Sequence, residues 1–315
     1  MDLSVLSELG FPDAQQVRGR ASIADLFRPS KRCGIYILHF SNGELYAGQA
    51  IDVTRRYAQH RIKYQDIDKI SFKRVPRSRL NKEERTVIWG LEHDGQVLRN
   101  ITFASIPKGE SDFDLIMSPA EQTRWLKDFS YIDNSGDRLV NSALRRRYRD
   151  RFQKLLGAPN ANEALDVLKI YAKVSLPALR RGEVSFWACS CLPAHNVYAR
   201  VNINWQEVFT VFHFDDTFQF SFQVADSKLT GPFGDDLELL FERYPSLKWE
   251  DLRYDPGGYD QIRLLIDGSE DAKAFITDTH ILGAIRLFNL RLMRKGPCTF
   301  GRYHCMDLAD TFVSD

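Results

Sequence analysis

The chain contains no apolar stretch near the roughly 20 residues that a membrane-spanning helix needs, so an integral helical membrane protein is not expected. Met1 to Pro12 lack a basic segment followed by an apolar one, and no signal peptide is expected. Cysteine is scarce: five residues, an odd number, argue against a disulfide scaffold and for a reducing, cytoplasmic setting. No Walker-type phosphate loop and no Gly-x-Gly-x-x-Gly fingerprint occurs, which removes the common nucleotide-binding motifs. Internal repeats and low-complexity tracts are also missing.

What is there is an ordinary globular composition, 43% hydrophobic and 27% charged, over a length that suggests two domains. The net charge of +1 hides an asymmetry. Residues 1–158 carry 27 Lys+Arg against 20 Asp+Glu, and residues 159–315 carry 16 against 22. A basic half suits a polyanion, because Lys and Arg neutralise phosphates. An uneven scatter of surface charge is the plain alternative.

The pattern of residues 1–31 suggests a helical lead-in, with Ser22 to Asp25 as a capping signal and Pro29 as the stop. Gly34 to Phe40 is rich in β-formers, Ser41-Asn42-Gly43 signals a turn, and a second strand starts near Leu45. Asp52 can cap a helix reaching about Tyr64. Lys69 to Val75 alternates as a third strand, Asn81 can cap a helix ending at Gly95, and Leu98 to Ile106 suits a further strand. Residues 108–158 form a basic helical connector, and Gly157 to Asn162 a linker. Beyond it, strands are expected near Ser185–Leu192, Val197–Asn204, Glu207–Phe214, Gln219–Val224 and Gln261–Asp267. Helices are expected at Glu163–Lys173, Asp235–Tyr244 and Glu270–Arg294. The fold class is therefore α/β, of the α+β kind.

The chemistry gathers on the first strands. A two-residue Asn-Gly loop would pair His39 with Tyr46 and put Tyr36 and Tyr46 on opposite faces. A three-residue loop with Gly43 left-handed pairs Leu38 with Tyr46 and turns both tyrosines to one face. This second register is the expectation, because a shared site requires it. Arg56 and His60 are helical neighbours, a guanidinium fork for phosphate oxygens beside a group that moves protons near neutrality. Glu84 lies on the stripe of Ile88 and Leu91, where a carboxylate can bind a hard metal. It could instead close a capping box with Asn81. Spacing alone leaves Glu83 and Glu92 as competitors.

Taken in order, these residues resemble the GIY-YIG nuclease superfamily. Gly34-Ile35-Tyr36 stands as the first signature and Tyr46-Ala47-Gly48 as the second, with alanine in its middle. Arg56 follows eight residues after Gly48, then His60, Glu84 and Asn100. The match spans about Arg32 to Ile106; Gln49 after the glycine is unusual. The resemblance implies a small three-stranded sheet with flanking helices over residues 32–107, and a divalent-metal-dependent endonuclease using Mg2+ or Mn2+. Glu84 would bind the metal and Arg56 would clamp the phosphate. Tyr36 would be general base, with a nearby Arg56 or metal favouring its phenolate, and Tyr46 would support it. His60 would orient or relay protons, and Asn100 would brace the site. The substrate would be nucleic acid, DNA before RNA, in restriction, phage defence or repair. Arg55, Arg61, Lys63, Lys73, Arg74, Arg77, Arg145 and Arg146 are the candidate phosphate contacts.

Other features carry less. Cys189, Cys191, Cys298, His304 and Cys305 do not have a standard zinc spacing. Phe186, Trp187 and Trp205 suit a core better than a base-stacking platform. Residues 159–315 belong to no recognised domain; they could select substrate, form a homo-oligomer or hold a regulatory protein. The alternative to an enzyme is a nucleic-acid-binding module whose second domain engages a partner.

Overall fold

The computed structural model describes residues 4–313 except 102, 134, 215–216 and 234–236. It is a mixed α/β protein in two compact units, residues 1–109 and 110–315.

The first unit runs α1 (Ser4–Glu8), β1 (Gln15–Gln16), β2 (Gly34–Phe40), β3 (Leu45–Ala50), α2 (Val53–Lys63), β4 (Ile67–Arg74) and α3 (Leu80–His93). Its antiparallel sheet has the order β1-β4-β2-β3. Strand β2 is central and buried along its whole length. Ile35 and Ile37 face a cluster with Val87, Ile88 and Leu91 of α3. Tyr36, Leu38 and Phe40 face Val53 and Tyr57 of α2. This two-sided burial explains why β2 is a continuous apolar run rather than an alternating one. Leu38 pairs with Tyr46 across the hairpin, and Gly43 is left-handed at φ 87°, as the longer loop requires.

Three local expectations fail. The lead-in is not a helix around residue 22: Ser22 Oγ accepts the N–H of Ala24 in a local turn, and β1 adds a short edge strand to the expected three. Helix α3 begins at Leu80, because a 3-10 turn at Arg77–Arg79 winds directly into it. Asn81 thus lies inside the first turn and caps nothing, so Glu84 closes no capping box. The described residues of 98–106 make no strand. They contribute one bridge, Leu98 to Leu45, and Phe103 is left-handed at φ 63°; Thr102 lies outside the described residues. Leu45 N–H still bonds to Val97 O, and Arg99 N–H to Leu45 O, so this segment lies along the outer edge of β3.

The second unit runs α4 (Pro119–Lys127), α5 (Ser142–Leu156), α6 (Ala161–Ser175), β5 (Trp187–Ala194), β6 (Val197–Ile203), β7 (Gln206–Phe214), β8 (Thr217–Val224), α7 (Ser227–Phe233), α8 (Glu238–Arg243), β9 (Lys248–Glu250), β10 (Ile262–Asp267), α9 (Ser269–Thr277), α10 (Thr279–Arg294) and α11 (Met306–Val313). Its antiparallel sheet has the order β5-β6-β7-β8-β10-β9. The basic connector is not separate from this unit, since α5 packs on β5 and α11. The long helix expected at 270–294 breaks at Asp278, which is extended and caps α10 through the N–H of His280. Asp235, the expected start of another helix, lies outside the described residues. Phe186 and Trp187 are buried, whereas Trp205 is 53% exposed at the β6–β7 turn and belongs to no core. Among the described residues, no helix is long and apolar enough to cross a membrane.

Candidate active site

Each site residue is placed by ordinary local structure. Asp52 caps α2 through the N–H of Thr54 at 2.9 Å, which fixes the phase of the helix. That phase turns Arg56 and His60 toward the sheet face bearing Tyr36 and Tyr46. The tyrosine rings stack with centroids 6.3 Å apart, and the His60 ring lies 4.6 Å from that of Tyr46. Tyr36 Oη is 2.7 Å from His60 Nε2 and accepts from Arg56 Nε at 3.3 Å. An Arg Nε–H can only donate. The Tyr36 proton is free to point at His60 Nε2 in the tautomer that leaves this nitrogen without a hydrogen.

Glu84 comes from α3, which packs on the other face of the sheet, and reaches the same cleft beside the edge strand β3. The backbone and side-chain N–H groups of Gln49 donate to its carboxylate. The same Gln49 amide donates to Asn81 Oδ1 at 2.7 Å, so the unusual residue after Gly48 ties β3 to α3. Asn100 is 3% exposed and mimics a strand residue. Its amide donates to Ala47 O at 2.7 Å and accepts from Ala47 N–H at 2.9 Å. All six residues expected to act together line one cleft of about 650 Å3.

No family model, no curated protein and no solved structure matches this chain.

The electrostatics of the site are set mainly by burial. Burial, reinforced by Tyr46, raises the Tyr36 pKa well above its ordinary value, and the adjacent Arg56 only partly opposes this. Arg56 does favour the phenolate, as expected, but desolvation of the buried anion outweighs it. Burial, helped by the positive charges of Arg56 and Lys63, lowers His60 to about 4, so the imidazole is neutral at neutral pH. Burial also raises Glu84, against the hydrogen bonds from Gln49 and the charge of Arg56.

The competing glutamates are engaged elsewhere. Glu83 binds Lys73 at 3.1 Å and also pairs with Arg79. Glu92 accepts from Ser105 N–H at 2.6 Å and from its hydroxyl at 2.9 Å. Glu84 has no ion pair among the described residues and is the carboxylate left facing the cleft.

The candidate phosphate contacts divide. Lys63 lines the cleft; Arg55, Arg74 and Arg77 are exposed. Arg61 is turned to the Gln65 carbonyl at 2.6 Å, and Lys73 to Glu83 and the Leu9 carbonyl. Arg145 is neutralised by Asp307 and Asp310, so it is not a free phosphate ligand, while Arg146 on the same helix is exposed. The sequence also missed Tyr64, Arg99 and Phe103, which line the cleft. Tyr64 follows His60 by four, a spacing that could have revealed it. Arg99 gave no signal: it binds Glu44 and Asp66, each at 2.6 Å, and sits 3.6 Å over the Phe40 ring.

Among the described residues, no group of three or more His, Cys, Asp or Glu side chains is placed to hold a metal ion. His304 is occupied by Glu183 at 2.9 Å and by the N–H of Cys189 at 3.1 Å.

Gly48 tests how tightly the site is built. A Cβ there would lie 2.5 Å from Tyr36 Oη and 3.0 Å from the Tyr46 ring. Both rings are held by neighbours, so Gly48→Ala is expected to cost about 1–3 kcal/mol of stability by overpacking. Thermal unfolding checks this; an unchanged midpoint would show that the ring pair gives way freely.

Proposed function

We propose that the first unit is a GIY-YIG-type endonuclease that hydrolyses nucleic-acid phosphodiesters, DNA before RNA, with Mg2+ or Mn2+. One observation carries the reading: Tyr36, Tyr46, Arg56, His60 and Glu84 meet at one cleft, with the Tyr36 hydroxyl bonded to both His60 and Arg56.

The donor set fits a weakly held hard cation. Mg2+ characteristically takes one or two carboxylates and completes its shell with water and substrate phosphate oxygens. Glu84, an oxygen ligand with no ion pair among the described residues, would hold it. When bound, the ion supplies Lewis-acid stabilisation at the scissile phosphate and the leaving oxygen.

The chain's own groups do the rest. Arg56 gives its Nε to Tyr36 and shares Nη1 with Gln59, leaving guanidinium hydrogens for phosphate oxygens. Tyr36 and His60 form a relay. The attacking water gives a proton to Tyr36 Oη as the phenolic proton passes to His60 Nε2. The hydroxide attacks phosphorus as the leaving P–O bond breaks, the leaving oxygen takes a proton from solvent water, and His60, left as imidazolium, returns its proton to solvent. Tyr36 never carries a full negative charge, which suits a phenol whose pKa burial has raised. Asn100 steadies Ala47, and with it the position of Tyr46.

This relay predicts the pH profile. His60 must be neutral to accept the proton, and Glu84 must be ionised. Single-turnover cleavage should be flat from about pH 6 to 9 and fall in acid, as His60 protonates near 4. A rate that instead climbs about tenfold per pH unit through pH 9 would mean that Tyr36 acts as a preformed phenolate.

The reading itself is tested by incubating duplex and single-stranded DNA with the protein and Mg2+, Mn2+ or EDTA. Metal-dependent cutting is expected. Salt-sensitive binding with no cutting under any condition would favour a nucleic-acid-binding module instead.

A further inference from the structure

The second unit contains its own cavity, of about 430 Å3, on the outer face of β5 and β6 beneath α5 and the segment 300–303. This size lies in the roughly 300–1,000 Å3 range of small-molecule sites. Its walls are aromatic: Tyr148 from α5, with Phe300 and Tyr303, whose ring centroids are 6.4 Å apart. Tyr148 is fixed by its hydroxyl bond to Arg302 O at 2.9 Å. The cavity also holds polar groups from the sheet. Ser190 on β5 is directly opposite Arg200 on β6, and Asn202 shares their face. Arg200 is anchored by Glu207 at 2.9 Å.

Asn202 decides the reading. It is 6% exposed, and its side-chain amide has no hydrogen-bond partner among the described residues, although it lines the cavity. The amide opens onto the cavity, so a ligand there can complete both of its edges. An amide presents one donor edge and one acceptor edge together, the pattern that matches adenine through N6 and N7. Aromatic walls are the usual stacking surface for a base. Arg151, exposed at the rim and 5.9 Å from the Tyr148 ring, has no ion pair among the described residues and can meet a phosphate.

We infer that this cavity binds an adenine nucleotide, the base stacked against Tyr148, Phe300 and Tyr303 and hydrogen-bonded by Asn202, the phosphate at Arg151. The site belongs wholly to the second unit and does not rest on the nuclease reading. The nucleotide could be free or be a base turned out of a single strand, and the chemistry of recognition is the same.

Calorimetric titration of the full chain with AMP, GMP, UMP and a short oligo(dA) tests it. AMP should bind saturably, and at least about tenfold tighter than GMP or UMP. Asn202→Leu should weaken it at least about tenfold. Tyr303→Ala, at an exposed position that does not threaten the fold, should weaken it too. Arg151→Ala should weaken AMP but not adenosine. Oligo(dA) binding with the same dependence on Asn202 and Tyr303, without AMP binding, supports the site and assigns it to a strand. The inference is overturned if AMP and oligo(dA) both fail to bind, if GMP binds as well as AMP, or if binding survives Asn202→Leu and Tyr303→Ala unchanged in folded protein.

Discussion

Replacing Glu84 by glutamine is expected to remove at least about 10³-fold of the metal-dependent cleavage, because a neutral amide cannot replace the anionic oxygen that would hold the cation. The shape of the side chain is kept, and its carbonyl can still accept from Gln49, so the fold should survive. Glu83→Gln and Glu92→Gln are the informative controls. They disturb the Lys73 and Arg79 pairs and the Ser105 contacts, so they should lower the unfolding midpoint and leave cleavage within about threefold. Cleavage and circular dichroism on all three variants separate these effects. If Glu84→Gln kept about a tenth of wild-type activity or more at saturating Mg2+, Glu84 would not be the metal ligand.

Arg286→Ala is expected to be the most damaging substitution in the second unit. The side chain is fully buried on α10 and makes no ion pair among the described residues. Its guanidinium instead donates to five carbonyls: Trp125, Asp128, Phe129, Tyr131 and Val174, at 2.6 to 3.4 Å. The Trp125 ring lies 4.6 Å from it. Burial lowers its pKa to about 10, which still leaves it charged at neutral pH. Truncation would strand these acceptors, each costing about 1–3 kcal/mol if water cannot reach it. Entry of water will recover part, so a net loss of about 4 kcal/mol or more is expected, a large fraction of the 5–15 kcal/mol typical of a domain. Arg286→Lys keeps the charge but not the fork, and should fall between. Chemical denaturation measures both; a loss below about 1 kcal/mol for alanine would show that the carbonyls are resolvated at little cost.

The hairpin was legible in the sequence because its signals are local. Asn42-Gly43 marks the turn, and the requirement that Tyr36 and Tyr46 share a face selects the register that the structure has. Asp52 and the α2 spacing are equally local. What could not be read depends on partners distant in the chain. Three glutamates on α3 look alike until Lys73 takes Glu83 and Ser105 takes Glu92. Arg145 looks like a phosphate contact until α11 brings Asp307 and Asp310 to it. Residues 98–106 have strand-like composition, yet among the described residues there only Leu98 pairs as a bridge, and Asn100 bonds to Ala47 with its side chain. Trp205 shows the limit of composition from the other side: a large aromatic left exposed at a strand turn.

The segment along the outer edge of β3 has a consequence for how molecules of this protein meet one another. An open strand edge is a template on which a second chain can add. Here Val97 and Arg99 engage Leu45, and the Asn100 amide takes both the N–H and the carbonyl of Ala47. The outward backbone groups of Leu45 and Ala47, which could recruit a neighbour, are thus answered within the chain. Removing the Asn100 amide would expose a short, apolar, twofold-repeating edge, and concentrated protein would then be prone to self-association by strand addition. The side chain that steadies Tyr46 in the cleft also keeps the sheet from growing.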